Sequence, residues 1–211
     1  MRASEESERP GPGETYNPGP ATPPRQAASV ILLRGGSEDL EVLLVKRTPH
    51  ARFMGGVWVF PGGAVDAGEG DGDEAQRVAA VRELREEAAI ALEGPAELVK
   101  FSRWITPAEV QIRFDTHFFL AELPPSQEPR VDGEECVDLG WFAPLAALEA
   151  NAAEEIQLVF PTIKHLEQLS DFASVDSLLA YARDREVQPI QPRVLLEGEV
   201  ARIVLPGEPG Y

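Results

Sequence analysis

The chain has 211 residues, 43% hydrophobic and 26% charged, with 36 Asp and Glu against 19 Lys and Arg for a formal net charge of −17. That size supports one domain with a real core, and that charge repels a nucleic-acid backbone, whose binding rests on Lys and Arg neutralising phosphates. No apolar run approaches the roughly 18 residues of a membrane span, the acidic Pro/Gly-rich start fits neither a signal nor a basic transit peptide, and the single Cys136 excludes a disulfide framework and a Cys-based zinc site. The expectation is a cytoplasmic protein with no nucleic-acid or membrane partner.

Residues 1–26 read as a disordered arm, because Pro, Gly and polar residues cannot repay the entropy of ordering. A solvated tail and the start of a homodimer arm both stay open. From residue 27 to 211 the pattern is that of a folded domain. Strands are expected at Ala28 to Arg34, Leu40 to Arg47 and Val57 to Phe60, the last ended by Pro61-Gly62-Gly63. A Gly/Asp-rich loop leads into a helix from Asp73, a candidate N-cap, to about Ala91, with Ala80, Leu84, Ala88 and Ala91 on one face. Strands resume at Leu98 to Ile105, Arg113 to Leu123 and Cys136 to Phe142. Helices follow at Pro144 to Glu155, Pro161 to Leu169 and Ser174 to Arg185, then a hairpin from Arg193 to Leu196 and Ala201 to Leu205 around Glu197-Gly198. Several strand pairs are joined too briefly for parallel crossovers, which predicts an α/β protein with a mixed sheet and helices on both faces.

The chemistry concentrates in Arg82-Glu83-Leu84-Arg85-Glu86-Glu87. Spacing of i, i+3, i+4 puts Glu83, Glu86 and Glu87 on one helix face, where like charges repel. Arg82 and Arg85 offset part of this repulsion. A hard cation preferring oxygen ligands would offset the rest, whereas the bland alternative is a solvated acidic face. The preceding Pro-Gly-Gly turn lets backbone groups approach a phosphate or metal without Cβ obstruction.

These residues resemble the Nudix hydrolase signature, G-x5-E-x7-R-E-U-x-E-E-x-G-U, where U is bulky and apolar. Gly68, Glu74, Arg82, Glu83, Leu84, Glu86, Glu87 and Ile90 fit it, with Ala89 where the family has Gly. Counting instead from Gly63 of the Phe-Pro-Gly-Gly turn puts Glu69 at the first Glu and leaves 12 residues before Arg82, the register of a five-residue loop insertion after Glu69. That second register is preferred, with the roles of Glu69 and Glu74 open. The resemblance implies a Nudix α/β/α sandwich that cleaves a nucleoside diphosphate derivative. It implies Mg²⁺ or Mn²⁺ held by Glu83, Glu86, Glu87 and the Gly62 carbonyl, with Arg82 orienting a glutamate. Several members place a catalytic or metal-binding Glu in the corresponding loop, for which Glu135 is the first choice as base and Glu134 the second; the alternative is two solvent-exposed loop acids.

A second stretch bears on the substrate. Leu43-Leu44-Val45-Lys46-Arg47-Thr48, Arg52, Gly56 and Phe60-Pro61-Gly62-Gly63 are similar to the motif of the coenzyme A diphosphatase branch. Trp104-Ile105-Thr106-Pro107, Arg113-Phe114-Asp115-Thr116-His117-Phe118-Phe119 and the closing Pro-Gly-Glu-Pro-Gly-Tyr resemble peroxisomal-type and bacterial members of that branch. Against a peroxisomal address, no Ser-Lys-Leu closes the chain. The resemblance implies coenzyme A or acyl-coenzyme A as substrate, giving 3′,5′-ADP and phosphopantetheine, with Arg47, Arg52 and Gly63 in substrate binding. Alternatively Arg47 caps a strand and Arg52 pairs with a surface acid. Trp104, Phe114, Phe118 and Phe119 are expected in the core, and His50, His117 and His165 show no ligand spacing. The alternatives are an ADP-ribose or nucleotide-sugar diphosphatase, and a non-catalytic nucleotide sensor.

Overall fold

The computed structural model describes residues 15–51, 54–197 and 200–211. Among these described residues, ten strands and four α-helices run in the order β1 (Arg25–Arg34), β2 (Glu41–Arg47), β3 (Trp58–Val59), β4 (Gly62–Ala64), α1 (Gly72–Ala88), β5 (Val99–Ile105), β6 (Phe114–Glu122), β7 (Cys136–Phe142), α2 (Pro144–Ala152), α3 (Phe160–Leu169), α4 (Val175–Arg183), β8 (Pro189–Ile190), β9 (Arg193–Glu197) and β10 (Val200–Val204). One mixed sheet has the order β3-β2-β1-β6-β5-β8, with β4 added to β1 and β7 to β2, and β9–β10 form a separate hairpin. β1 pairs parallel with β6 and β5 parallel with β8, whereas β1–β2, β1–β4, β2–β7 and β5–β6 are antiparallel.

Strand alternation divides β1 between two cores. Ala28, Val30 and Leu32 pack with Ala79, Ala80, Leu84 and Ala88 of α1 on one face. Ile31 and Leu33 face the other side, with Ala147 of α2, Leu166 and Leu169 of α3, and Leu178, Leu179 and Ala182 of α4. This is the expected α/β/α sandwich.

The structure departs from the sequence expectations at element ends. β1 begins at Arg25, inside the expected arm, and residues 15–22 lie along the 106–113 loop through Asn17 N to Glu109 O (2.8 Å) and Thr22 Oγ1 to Gln111 O (3.0 Å). Residues 1–14 lie outside the described residues. Gly62–Ala64, read as loop, is a strand because its close approach to β1 needs the missing side chain: a Cβ on Gly62 would stand 2.7 Å from Ser29 Cα. The N-cap of α1 is Asp71, not Asp73; Asp73 sits in the first turn, favourable for the helix dipole, and binds Arg77 (2.8 Å) and Lys100 (2.6 Å). α1 stops at Ala88 because Ala89 turns left-handed (φ 56°) and its N–H closes on Arg85 O at 3.1 Å, so Ala91 lies past the helix, exposed. α2 and α4 end earlier than expected, and the hairpin turn, including Gly198, lies outside the described residues.

Candidate active site

α1 is built of strong helix formers, and one stripe of it carries the acidic trio, with Glu86 half exposed, Glu83 largely buried and Glu87 buried. Leu84 and Ala88 bury one side under β1, which turns Glu83 and Glu87 toward the β4 strand. A Cβ on Gly63 would run into the Glu83 carboxylate, so a side chain there would push that carboxylate from its place. Gly62 N–H donates to Glu87 Oε2 at 2.9 Å. Glu87 is 2% exposed, and its Oε1 has no hydrogen-bond partner, with the Arg47 guanidinium at 3.5 Å.

These surroundings shift the carboxyls. Burial pushes Glu87 up to about 7, against the Gly62 amide and Arg47, and Glu83 adds to the rise. Burial likewise raises Glu83, opposed by Arg82 and reinforced by the charges of Glu86 and Glu135. The Cys136 thiol, buried near Glu87, is raised for the same two reasons, burial and that neighbouring negative charge.

Arg82 is the hub of this cluster. Its Nε donates to Glu69 Oε1 at 2.8 Å, Nη1 to Glu83 at 2.7 Å and Glu86 at 3.0 Å, and Nη2 to the Ala64 carbonyl at 2.9 Å. Glu69 is thus drawn into the cluster, while Glu74 is exposed on the first turn of α1. The geometry follows the register counted from Gly63, with the extra residues forming the loop before α1. Glu86 is half exposed and meets Arg82 alone among these groups.

Antiparallel pairing of β2 with β7 sets Arg47 against Cys136, and Thr48 N–H donates to Glu135 O at 2.8 Å. A cavity of about 560 Å³ opens here, lined at this end by Arg47, Gly62, Gly63, Glu83, Glu87 and Glu135. Glu135 therefore reaches the cavity, whereas Glu134 is exposed and absent from its lining. Arg52 lies outside the described residues. Arg25 and Met54 also line the cavity, unforeseen in the sequence. Arg25 is placed there by the parallel pairing of β1 with β6, opposite Phe114.

Among the described residues, no three His, Cys, Asp or Glu side chains already converge on one point. The donor set still fits a hard divalent cation: oxygen ligands only, with Glu87 Oε1 buried and without a hydrogen bond, and Glu83 and Glu87 both disfavoured as bare charges. The remaining charged candidates are structural. Arg113 is buried and donates to the carbonyls of Thr106 and Thr22, and Asp115 is clamped by Arg103 at 2.6 Å. His117 and His165 are buried in the two cores and His50 is exposed. Trp104, Phe118 and Phe119 are buried as expected; Phe114 is only partly so, and Trp104, Phe114 and Phe118 also wall the cavity.

Residues 23–163 match the NUDIX domain. The chain belongs to the Nudix family. Among its relatives is the human acyl-coenzyme A diphosphatase NUDT19 (Homo sapiens), 26% identical over an alignment spanning 93% of this chain and 82% of that one. The putative nudix hydrolase 7 of Caenorhabditis elegans is 28% identical, spanning 80% and 68%. The crystal structure of a NUDIX hydrolase from Alicyclobacillus acidocaldarius superposes with a TM-score of 0.67 at 27% identity, covering 75% of this chain and 96% of that one. The protein is accordingly a Nudix diphosphatase, of a family that generally uses divalent metal ions. No helix of the described residues is long and apolar enough to cross a membrane.

Proposed function

We propose that the protein hydrolyses the diphosphate of coenzyme A or an acyl-coenzyme A, releasing 3′,5′-ADP and the phosphopantetheine half, with Mg²⁺ or Mn²⁺. The observation that carries the reading is the pair Glu83 and Glu87, held against Gly62-Gly63 at the charged end of a cavity of about 560 Å³. Similarity to the acyl-coenzyme A diphosphatase NUDT19 across 93% of the chain supports the substrate class.

Glu83, Glu86, Glu87 and the Gly62 carbonyl would hold the metal. Bound there, it draws charge off the diphosphate and lowers the pKa of a water. Arg82 is a positioning residue: its fork fixes Glu83 and Glu86 and is itself fixed by Glu69 and the Ala64 carbonyl. Glu86, now on Arg82 at 3.0 Å, would have to turn from it to hold a metal. Arg47, already beside Glu87, has donors suited to a phosphate oxygen at the cleavage point. This location favours the diphosphate over the remote 3′-phosphate as its partner. Glu135 on the cavity wall takes the proton of the attacking water. Gly63 keeps the substrate's path free of a side chain.

The test is a substrate panel with product masses: coenzyme A, dephospho-coenzyme A, acyl-coenzyme A, ADP-ribose and nucleotide sugars, each with Mg²⁺, Mn²⁺ or EDTA. The reading expects 3′,5′-ADP from coenzyme A, only with metal. Cleavage of ADP-ribose alone would replace it by the ADP-ribose reading, and binding without turnover by the sensor reading.

A further inference from the structure

The cavity leaves the carboxylates in two directions. Across the sheet, on the face away from α1, it passes Thr116 of β6 and Trp104 of β5 to an apolar end walled by Phe160 of α3 and Val194 of the β9–β10 hairpin. Along β1 it reaches Arg25. Arg25, Ala27 and Ser29 share the alternation of Ile31 and Leu33, so all three turn to the cavity face. Ala28 stands opposite Gly63 and Ala27 opposite Ala64. Arg25 lies three residues before Ala28, about 10 Å along the strand. The side chains bordering that track are Ala27 and Ala64, small enough to leave it open.

The far end of the track is positively charged and uncompensated. Arg25 N–H donates to Arg113 O at 2.9 Å, so the two arginines adjoin. The buried Arg113 guanidinium meets only the carbonyls of Thr106 and Thr22, and neither arginine forms an ion pair among the described residues. The acids of this region are engaged elsewhere. Asp115 is held by Arg103 and by Gln26, and Glu109 Oε2 accepts from Val194 N–H at 3.4 Å. In a chain with 36 acids against 19 Lys and Arg, two adjoining cations without a carboxylate leave a local field that draws an anion.

Coenzyme A carries one phosphate besides its diphosphate, on the 3′-oxygen one ribose away. Arg47 sits beside Glu87, at the diphosphate. One ribose and an arginine side chain together span the track from Gly63 to Arg25. A guanidinium meets a phosphate monoester through two parallel charge-assisted bonds, whereas pantetheine brings no charge to pair with it. Resting on the coenzyme A reading above, we infer that Arg25 binds the 3′-phosphate of the substrate, so that the adenosine half lies along β1 and this residue distinguishes coenzyme A from its dephospho form. Phe114, opposite Arg25 in register and on the cavity wall, then stands beside the nucleoside.

The experiment compares ligands that differ by that one phosphate. On the full protein, Arg25→Ala and Arg25→Lys, it measures kcat/KM for coenzyme A and dephospho-coenzyme A, and calorimetric affinity for 3′,5′-ADP and 5′-AMP. Arg25→Ala should lower kcat/KM for coenzyme A by about tenfold, the loss of a charge-assisted bond at an exposed site. It should leave dephospho-coenzyme A within about twofold, which also shows that the variant is folded. Arg25→Lys keeps the charge but not the fork and should fall between. Equal losses on both substrates would overturn the inference, because Arg25 would then serve the diphosphate or the fold; so would no loss on coenzyme A. Failure of the coenzyme A reading shows separately, as ADP-ribose hydrolysis with neither coenzyme A form cleaved. The nucleotides then decide: tighter binding of 3′,5′-ADP than of 5′-AMP, abolished by Arg25→Ala, keeps the phosphate site, and equal binding removes it.

Discussion

The two ends of the cavity are built by opposite strategies. At the carboxylate end, one face of α1 and the Gly62-Gly63 pair supply the centre, Arg47, Glu69 and Glu135 join it from β2 and two loops, and the polar groups of the centre are held by hydrogen bonds of 2.7–3.0 Å. At the apolar end, a few residues from each of β5, β6, α3 and the terminal hairpin come together, mostly through packing. A charged site demands fixed geometry, which one helix face provides cheaply, whereas an apolar wall tolerates contributions from anywhere. Substitutions at the first end should therefore act on rate, and substitutions at the second on which substrate is preferred.

The largest expected effect is Glu87→Gln. Even mutating the partners of metal ligands costs about 10–100-fold in affinity or activity, so losing a ligand should reduce turnover more than about a hundredfold. The fold should survive, because a Gln oxygen can still accept from Gly62 N–H. With a folded pKa of about 7 against about 4.5 unfolded, Glu87 adds stability below pH 4.5 that is lost as pH rises through 7. The metal-free variant should therefore melt higher than wild type at pH 8; turnover and a thermal scan read both effects.

Next in size is the hub. Arg82→Lys keeps the charge but loses the fork, and Glu69→Ala removes the carboxylate that anchors it. Each should lower kcat by about tenfold or more, while Glu74→Ala, on an exposed side chain, should fall within twofold. A Glu74 effect exceeding that of Glu69 would restore the register counted from Gly68.

The apolar side of the sheet sharpens the contrast through pH. His165 is fully enclosed beside Ser102, and burial lowers it to about 3; His117, on the α1 side, is lowered to about 4. The unfolded chain takes up these protons near pH 6.5 and the folded chain does not, so stability should fall as pH drops from about 6.5 toward 4, by up to about 1.4 kcal/mol per pH unit for each group. Urea midpoints at pH 7 and 5 measure this, and His165→Phe should show the smaller drop. The smallest effect expected is Ala89→Gly. A left-handed alanine is strained, so glycine should add about 0.5–1 kcal/mol and raise Tm by a few degrees.

How much of this was legible follows the same division. Glu83, Glu86 and Glu87 could be read because helical spacing converts sequence directly into a face. The pairing of Glu69 with Arg82 needed only the right count from Gly63. That Glu135 and not Glu134 lines the cavity depends on how the loop before β7 meets β2, where Thr48 N–H donates to Glu135 O. Nothing local announced that Val194 and Ile203 share a cavity with Trp104, because their meeting depends on how the terminal hairpin docks on the 106–113 loop. The β4 strand was hidden for another reason: Gly62-Gly63 reads as a turn, and only the contact with β1 makes it extended.

The central claim is that the α1 carboxylates form a divalent-cation site serving the diphosphate. The direct measurement is Mn²⁺ uptake followed by the electron paramagnetic resonance signal of free Mn²⁺, for wild type and Glu87→Gln. The account predicts that wild type binds Mn²⁺ and that the variant binds at least tenfold more weakly while remaining folded. Equal uptake by the two proteins would contradict it.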